Sequence, residues 1–210
     1  MSKRNAILAA ATRLFARNGF KETSTSELTK ITGAAGGTIF HHFKNKEDLF
    51  LNVLKDVETT VTSAFRELTE RHRAHPGMDQ VEHAVISYLQ LAANFEDQFL
   101  LLHRHYPYQV AETNADCRRS LESVYNCLLE IFEGCIRAGI KDGTIQTGSA
   151  RSTAMIIFAM VDGITRLHTY NIYHAGSLYN DVIQSCRSLL AASASSGANE
   201  RTGKEGTWPV

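Results

Sequence analysis

Proline is scarce, with three in 210 residues, so long helices can run without the breaks its ring imposes. Strand signals are missing too: there is no Asn-Gly hairpin and no convincing stretch of alternating Val, Ile and Thr, which argues against a sheet scaffold. The four cysteines, Cys117, Cys127, Cys135 and Cys186, form no Cys-x-x-Cys pair. Zinc-ribbon and dithiol chemistry are therefore not expected, and the thiols read as reduced and packed. No long apolar run exists; the longest, Ala154 to Val161, falls far short of a bilayer span. Arg13 and Arg17 interrupt the apolar opening stretch, so it does not read as a signal peptide, and the cytoplasm is the expected location. Net charge is absent as well, at zero, which by itself argues against a nucleic-acid binder.

The distribution of charge says otherwise. Residues 1–50 hold eight Lys/Arg and four acids, a net +4, and the remainder carries −4. A basic head on an acidic body fits a polyanion-binding module attached to a regulatory part. With 43% hydrophobic and 21% charged residues, the composition is that of an ordinary globular protein.

Helical periodicity dominates. Ile7, Leu8, Ala11, Leu14 and Phe15 follow the i, i+3, i+4, i+7 rule over about 3–18. Gly19 then stands where a left-handed cap is expected, with Phe20 as its hydrophobic contact. Ser24 and Glu27 form the sequence of a capping box opening a second helix, which Gly33 ends. A short third helix is expected over about 35–42, with Ile39 and Phe43 on its inner face. Asn45, with Asp48 three residues on, caps a fourth running to about Arg73, where His75-Pro76-Gly77 stops it. Further helices are expected at about 79–94, 96–105, 114–138, 149–174 and 178–192. Tyr106-Pro107-Tyr108 and the stretch 139–148 separate them. The sum is an all-α chain of about nine helices. Residues 1–48 form a three-helix head, 49–192 a helical body, and 193–210, which lack periodicity, a disordered C-terminal tail.

A helix, a tight glycine-containing turn and a short helix make a helix-turn-helix, whose second helix is slim enough to lie in a major groove. The glycine-rich stretch Gly33 to Thr38 lacks the lysine of a nucleotide-binding loop, and no strand precedes it.

The order of residues in this head closely resembles the TetR family of transcriptional regulators. The resemblance rests on Ile7-Leu-Ala-Ala-Ala-Thr-Arg-Leu-Phe15, Asn18-Gly-Phe20 and Thr23-Ser-Thr-Ser-Glu-Leu28. It continues through Thr32-Gly33, Gly37-Thr-Ile-Phe-His-His-Phe43 and Lys44-Asn-Lys-Glu-Asp-Leu49. It implies a one-component regulator, a repressor, that binds a pseudo-palindromic double-stranded DNA operator as a homodimer. A small-molecule inducer bound in the helical body would release it, with no cofactor and no membrane involved. The positions matching DNA contacts are Ser24, Thr25, Thr38, Phe40, His41, His42 and Lys46. Three departures stand out: Ala35 and Gly36 replace the usual polar cap and lysine, and Phe40 replaces a tyrosine. Few side-chain donors remain. Readout is therefore expected from Thr38, His41, methyl contacts of Ala34 or Ala35, close backbone approach at Gly36 and Gly37, and DNA shape. The same departures motivate the alternative of a helical ligand-binding or scaffold protein whose head has lost strong DNA affinity.

In the body, Tyr88, Phe95, Phe99, His103, Tyr106, Tyr125, Phe132 and Phe158 offer aromatic walls with a few polar tips, the lining expected for a largely apolar ligand. The stretch 154–161 is apolar nearly all round. By pattern alone it and the stripe Leu178, Val182, Cys186 and Leu189 could belong to the subunit's own core; the family resemblance implies instead that they form the dimer seam, together with Met155, Phe158 and Gly163. His103 with His105, and His72 with His75, are spaced as ligand pairs, but neither pair has a clear third ligand, so no metal site is expected. No Cys, His and Asp are brought into a nucleophilic arrangement, and no catalysis is expected.

Overall fold

The computed structural model describes residues 2–33, 36–173 and 178–191. Ala34, Ala35 and the expected tail at 193–210 lie outside them. Among the described residues ten helices follow one another: α1 Lys3–Arg17, α2 Thr25–Thr32, α3 Gly36–His42, α4 Lys46–Glu70, α5 Gly77–Asn94, α6 Glu96–Leu102, α7 His105–Ala111, α8 Ala115–Asp142, α9 Ala150–Thr169 and α10 Tyr179–Ala191. Among the described residues there is no strand.

The helix ends are set by local chemistry. Ser24 Oγ accepts from Glu27 N–H at 3.2 Å while Glu27 accepts from Ser24 N–H at 2.7 Å, so two orphan donors at the start of α2 are satisfied reciprocally. Gly33 closes that helix at φ +63°, a left-handed conformation that costs other residues dearly. At α4, Asn45 accepts from Asp48 N–H (2.7 Å), and Asp48 accepts from Lys44 N–H (2.8 Å).

The tenth helix is a correction to the expected count. Tyr106-Pro107-Tyr108 does not separate helices but lies within α7. Pro107 falls in the first turn of that helix, where the missing N–H has no intrahelical partner to lose. α8 also runs past Ala138 to Asp142 before Gly143 ends it, and α9 stops at Thr169 rather than 174.

α1, α2 and α3 pack as a three-helix head around Phe15, Phe20, Leu28, Ile39 and Phe43. α4 starts within the head and continues through the body, where α5, α8 and α9 surround it or one another. The core is continuous from Ile7 to Leu190. α5 and α8 approach so closely that a Cβ on Gly77 would overlap the Gly139 backbone. Asp142 locks this crossing by accepting from Gly77 N–H at 2.7 Å.

The head is tied to the body by polar bonds as well as packing. Arg104 donates from Nε to the carbonyl of Ala16 (2.8 Å) and from its terminal nitrogen to that of Arg17 (2.6 Å). A cation there satisfies the orphan carbonyls at the end of α1. Arg17 in turn pairs with Asp97 of α6 at 2.7 Å. No described helix is long and apolar enough to cross a membrane.

Candidate nucleic-acid interface

Two residues hold α3 to the head and leave the rest outward. Ile39 and Phe43 are buried, one turn apart, so the opposite face must point away from the core. Gly37, Phe40, His41 and His42 are exposed and Thr38 is half-buried. Phe40 is the sharpest case, a phenyl ring 52% exposed on a helix whose other large apolar groups are hidden. A Cβ at Gly37 would meet nothing within 4 Å, so that position is free to approach another molecule closely. Ser24 is exposed and Thr25 half-buried at the start of α2, where backbone N–H groups and the helix dipole favour a phosphate.

Lys46 is less free than its exposed neighbours. Its ammonium sits 4.5 Å from the centre of the Phe20 ring and donates to the Lys21 carbonyl at 3.4 Å. It remains at the rim of the same face, beside exposed Lys21 and Lys44. Ala35 falls outside the described residues, and Gly36 begins α3.

Six of the eight expected pocket residues gather in the body. Tyr88 meets Phe99, Phe158 and Phe65 edge-on at 5.4–6.0 Å. Phe158 in turn lies 6.0 Å from Tyr125 and 6.5 Å from Phe132. His103 lies at the polar end of this cluster beside Asp162, a residue not among the expected pocket set. Tyr88 donates to Asp162 at 2.5 Å, and His103 Nε2 lies 3.1 Å from the same oxygen. Burial raises the carboxyl pKa, but the hydrogen bond and attraction from His103, the Tyr88 hydroxyl and Arg166 outweigh it and leave it lowered. Burial, then the Asp162 charge, pushes Tyr88 well up. The Nδ1 of His103 is buried without a partner. An acid following the apolar run 154–161 was the available signal.

The other two lie elsewhere. Tyr106 stacks on Phe20 of the head, and Phe95 stands at the junction of α5 and α6. A separate cleft of about 480 Å³, lined mainly by Leu89, Ala92, Ile164, Thr165, His168 and Val182, opens between α5, α9 and α10. None of the eight lines it. The hydroxyl of Thr165, a residue 3% exposed, has no partner.

The expected seam residues also divide. Met155, Gly163 and Leu178 are exposed. Val182 and Cys186 are buried in the subunit's own core, while Leu189 and Phe158 are half-buried against it. The stripe on α10 is thus taken up within the chain. The apolar face left open is on α9: Ile156, Gly163, Leu167 and Tyr170 share one side, and all four are exposed. All four cysteines are buried and free. Burial raises the thiols of Cys117, Cys135 and Cys186 to about 11, so they are inert at neutral pH.

These features define an all-helical regulator with a helix-turn-helix head. Residues 7–53 match the family of bacterial regulatory proteins of the tetR type. The head thus carries that family's DNA-binding region, and over most of its length the chain is similar to transcriptional regulators. It is 25% identical over 182 residues to the fatty acid metabolism regulator protein of Bacillus subtilis, covering 85% of this chain and 90% of that one. It is 26% identical over 194 residues to the transcriptional repressor BepR of Brucella suis, covering 88% and 91%. The crystal structure of the regulator FadR from Bacillus subtilis in complex with stearoyl-CoA superposes with a TM-score of 0.69 at 23% identity, over 89% of this chain and 97% of that one.

Proposed function

We propose that the chain is a repressor that grips a pseudo-palindromic double-stranded DNA operator as a homodimer and lets go when a small, largely apolar molecule enters its body. Residues 1–48 read the DNA and residues 49–192 sense and dimerise. The observation that carries this is the outward face of α3. A helix anchored by Ile39 and Phe43 presents Gly37, Thr38, Phe40, His41 and His42, and none of the other described residues buries that face. The open α9 stripe supports the dimer, because a line of exposed apolar residues on one helix is what a second subunit covers. The cleft beside Thr165 has the size and apolar walls of a ligand site, and the stearoyl-CoA held by the Bacillus subtilis FadR is a ligand with a long apolar chain.

The test is a gel shift on the DNA upstream of the chain's own gene. Binding should weaken steeply as salt rises, since phosphate contacts release counterions. Equal retardation of unrelated DNA, or none at all, would remove the proposal.

A further inference from the structure

We propose that His72, His75 and His83 form a binding site for a borderline divalent transition-metal ion, zinc being the reference case, at the end of α4 opposite the head. This site does not depend on the DNA reading.

The sequence shows only two of the three ligands; the third arrives on α5. His72 and His75 lie in the turn that ends α4, where His72 N–H bonds to Thr69 O and His75 N–H to His72 O, both at 3.0 Å. Gln80 reaches back from α5 and donates to the carbonyls of Arg73 (3.1 Å) and His75 (2.7 Å). That clamp sets the turn against the α5 face that bears His83. One ligand nitrogen from each histidine then lies within 4.8 Å of the others.

The rings are stacked rather than splayed. His72 lies on His83 at 3.7 Å with 12° between planes, and His75 meets them edge-on at 5.4 and 5.3 Å. A tetrahedral ion held at about 2.0–2.1 Å from each nitrogen needs them roughly 3.3 Å apart. Binding an ion there therefore requires the three side chains to rotate and draw their nitrogens together. The trio also carries an unmet need. His72 Nδ1 is buried with no hydrogen-bond partner, and such an atom is costly to leave unsatisfied. Neutral imidazoles suit zinc, nickel or copper rather than magnesium or calcium. His75 is exposed, so water can complete the coordination. An ion there would staple the end of α4 to α5.

The test uses the full chain, stripped with chelator and dialysed. Titrated with Co²⁺, it should develop visible absorption bands at one ion per chain, displaced by Zn²⁺ and not by Mg²⁺. His83→Gln and His72→Gln should each weaken binding at least tenfold. His105→Gln, exposed and outside the trio, should bind as the parent does. Zn²⁺ should raise the melting temperature of the parent and not that of His83→Gln. His75→Gln, on the exposed turn, provides a variant whose fold is not at risk. Absence of the Co²⁺ bands, or binding undiminished in all three histidine variants of the trio, overturns the site.

Discussion

The ring of Tyr106, on α7 in the body, lies flat on the ring of Phe20 in the head, 4.2 Å between centroids and 9° between planes. Phe50 of α4 closes on both, at 4.9 Å and 5.4 Å. The head is therefore seated on the body by an aromatic joint, with Arg104 capping α1 beside it. Tyr106→Ala should cost about 3 kcal/mol, as loss of a packed aromatic does, read by urea unfolding of the whole chain. Operator binding should also lose its response to inducer more than its affinity. Unfolding that matches the parent would show the joint to be idle.

Gly37→Leu should abolish operator binding with unchanged circular dichroism and melting, because a Cβ there meets nothing within 4 Å in the free protein and the added bulk would stand between α3 and the DNA. Retention of affinity within threefold would place the reading face elsewhere.

Leu167→Glu, on the open α9 stripe, should yield folded monomers by sedimentation velocity. Val182→Asp should instead unfold the chain, since Val182 is 5% exposed and belongs to the core and a lone buried charge is costly. A folded Val182→Asp monomer would return the seam to α10.

Asp162 sets part of the response to acid. Its folded-state pKa lies below its ordinary value, so its contribution is present above the unfolded pKa of about 3.9 and is lost as pH falls through the folded one. Asp162→Asn should lower stability near neutrality by about 1 kcal/mol and flatten the stability-against-pH curve on its acid side. Urea midpoints measured across the acid range would show whether the two curves converge; parallel curves would contradict the assignment.

The head was legible almost residue by residue. Ser24 with Glu27, Gly33, and Asn45 with Asp48 are short-range signals, and each acts within one helical turn of where it is written. The body was legible as helices but not as partners. Pro107 looked like a break because a helix that begins just before it cannot be told from a loop by spacing. Val182 and Cys186 looked like a seam because a heptad stripe does not say whether the helix it faces is its own or a neighbour's. His83 was invisible as a ligand because α5 comes back alongside the turn only after the Pro76-Gly77 reversal. Asp162 was not legible as a pocket residue because its partners Tyr88 and His103 lie 74 and 59 residues away in sequence.

α4 spans 25 residues, which at the rise of an α-helix makes a rod of about 37 Å. One end carries Lys46 at the rim of the reading face, and the other delivers His72 and His75 to the trio. A rod of that length is a lever: a tilt of about 5° about one end sweeps the other through roughly 3 Å. Steps too small to notice near the pivot would, along such a rod, be magnified to the width of a base-edge contact.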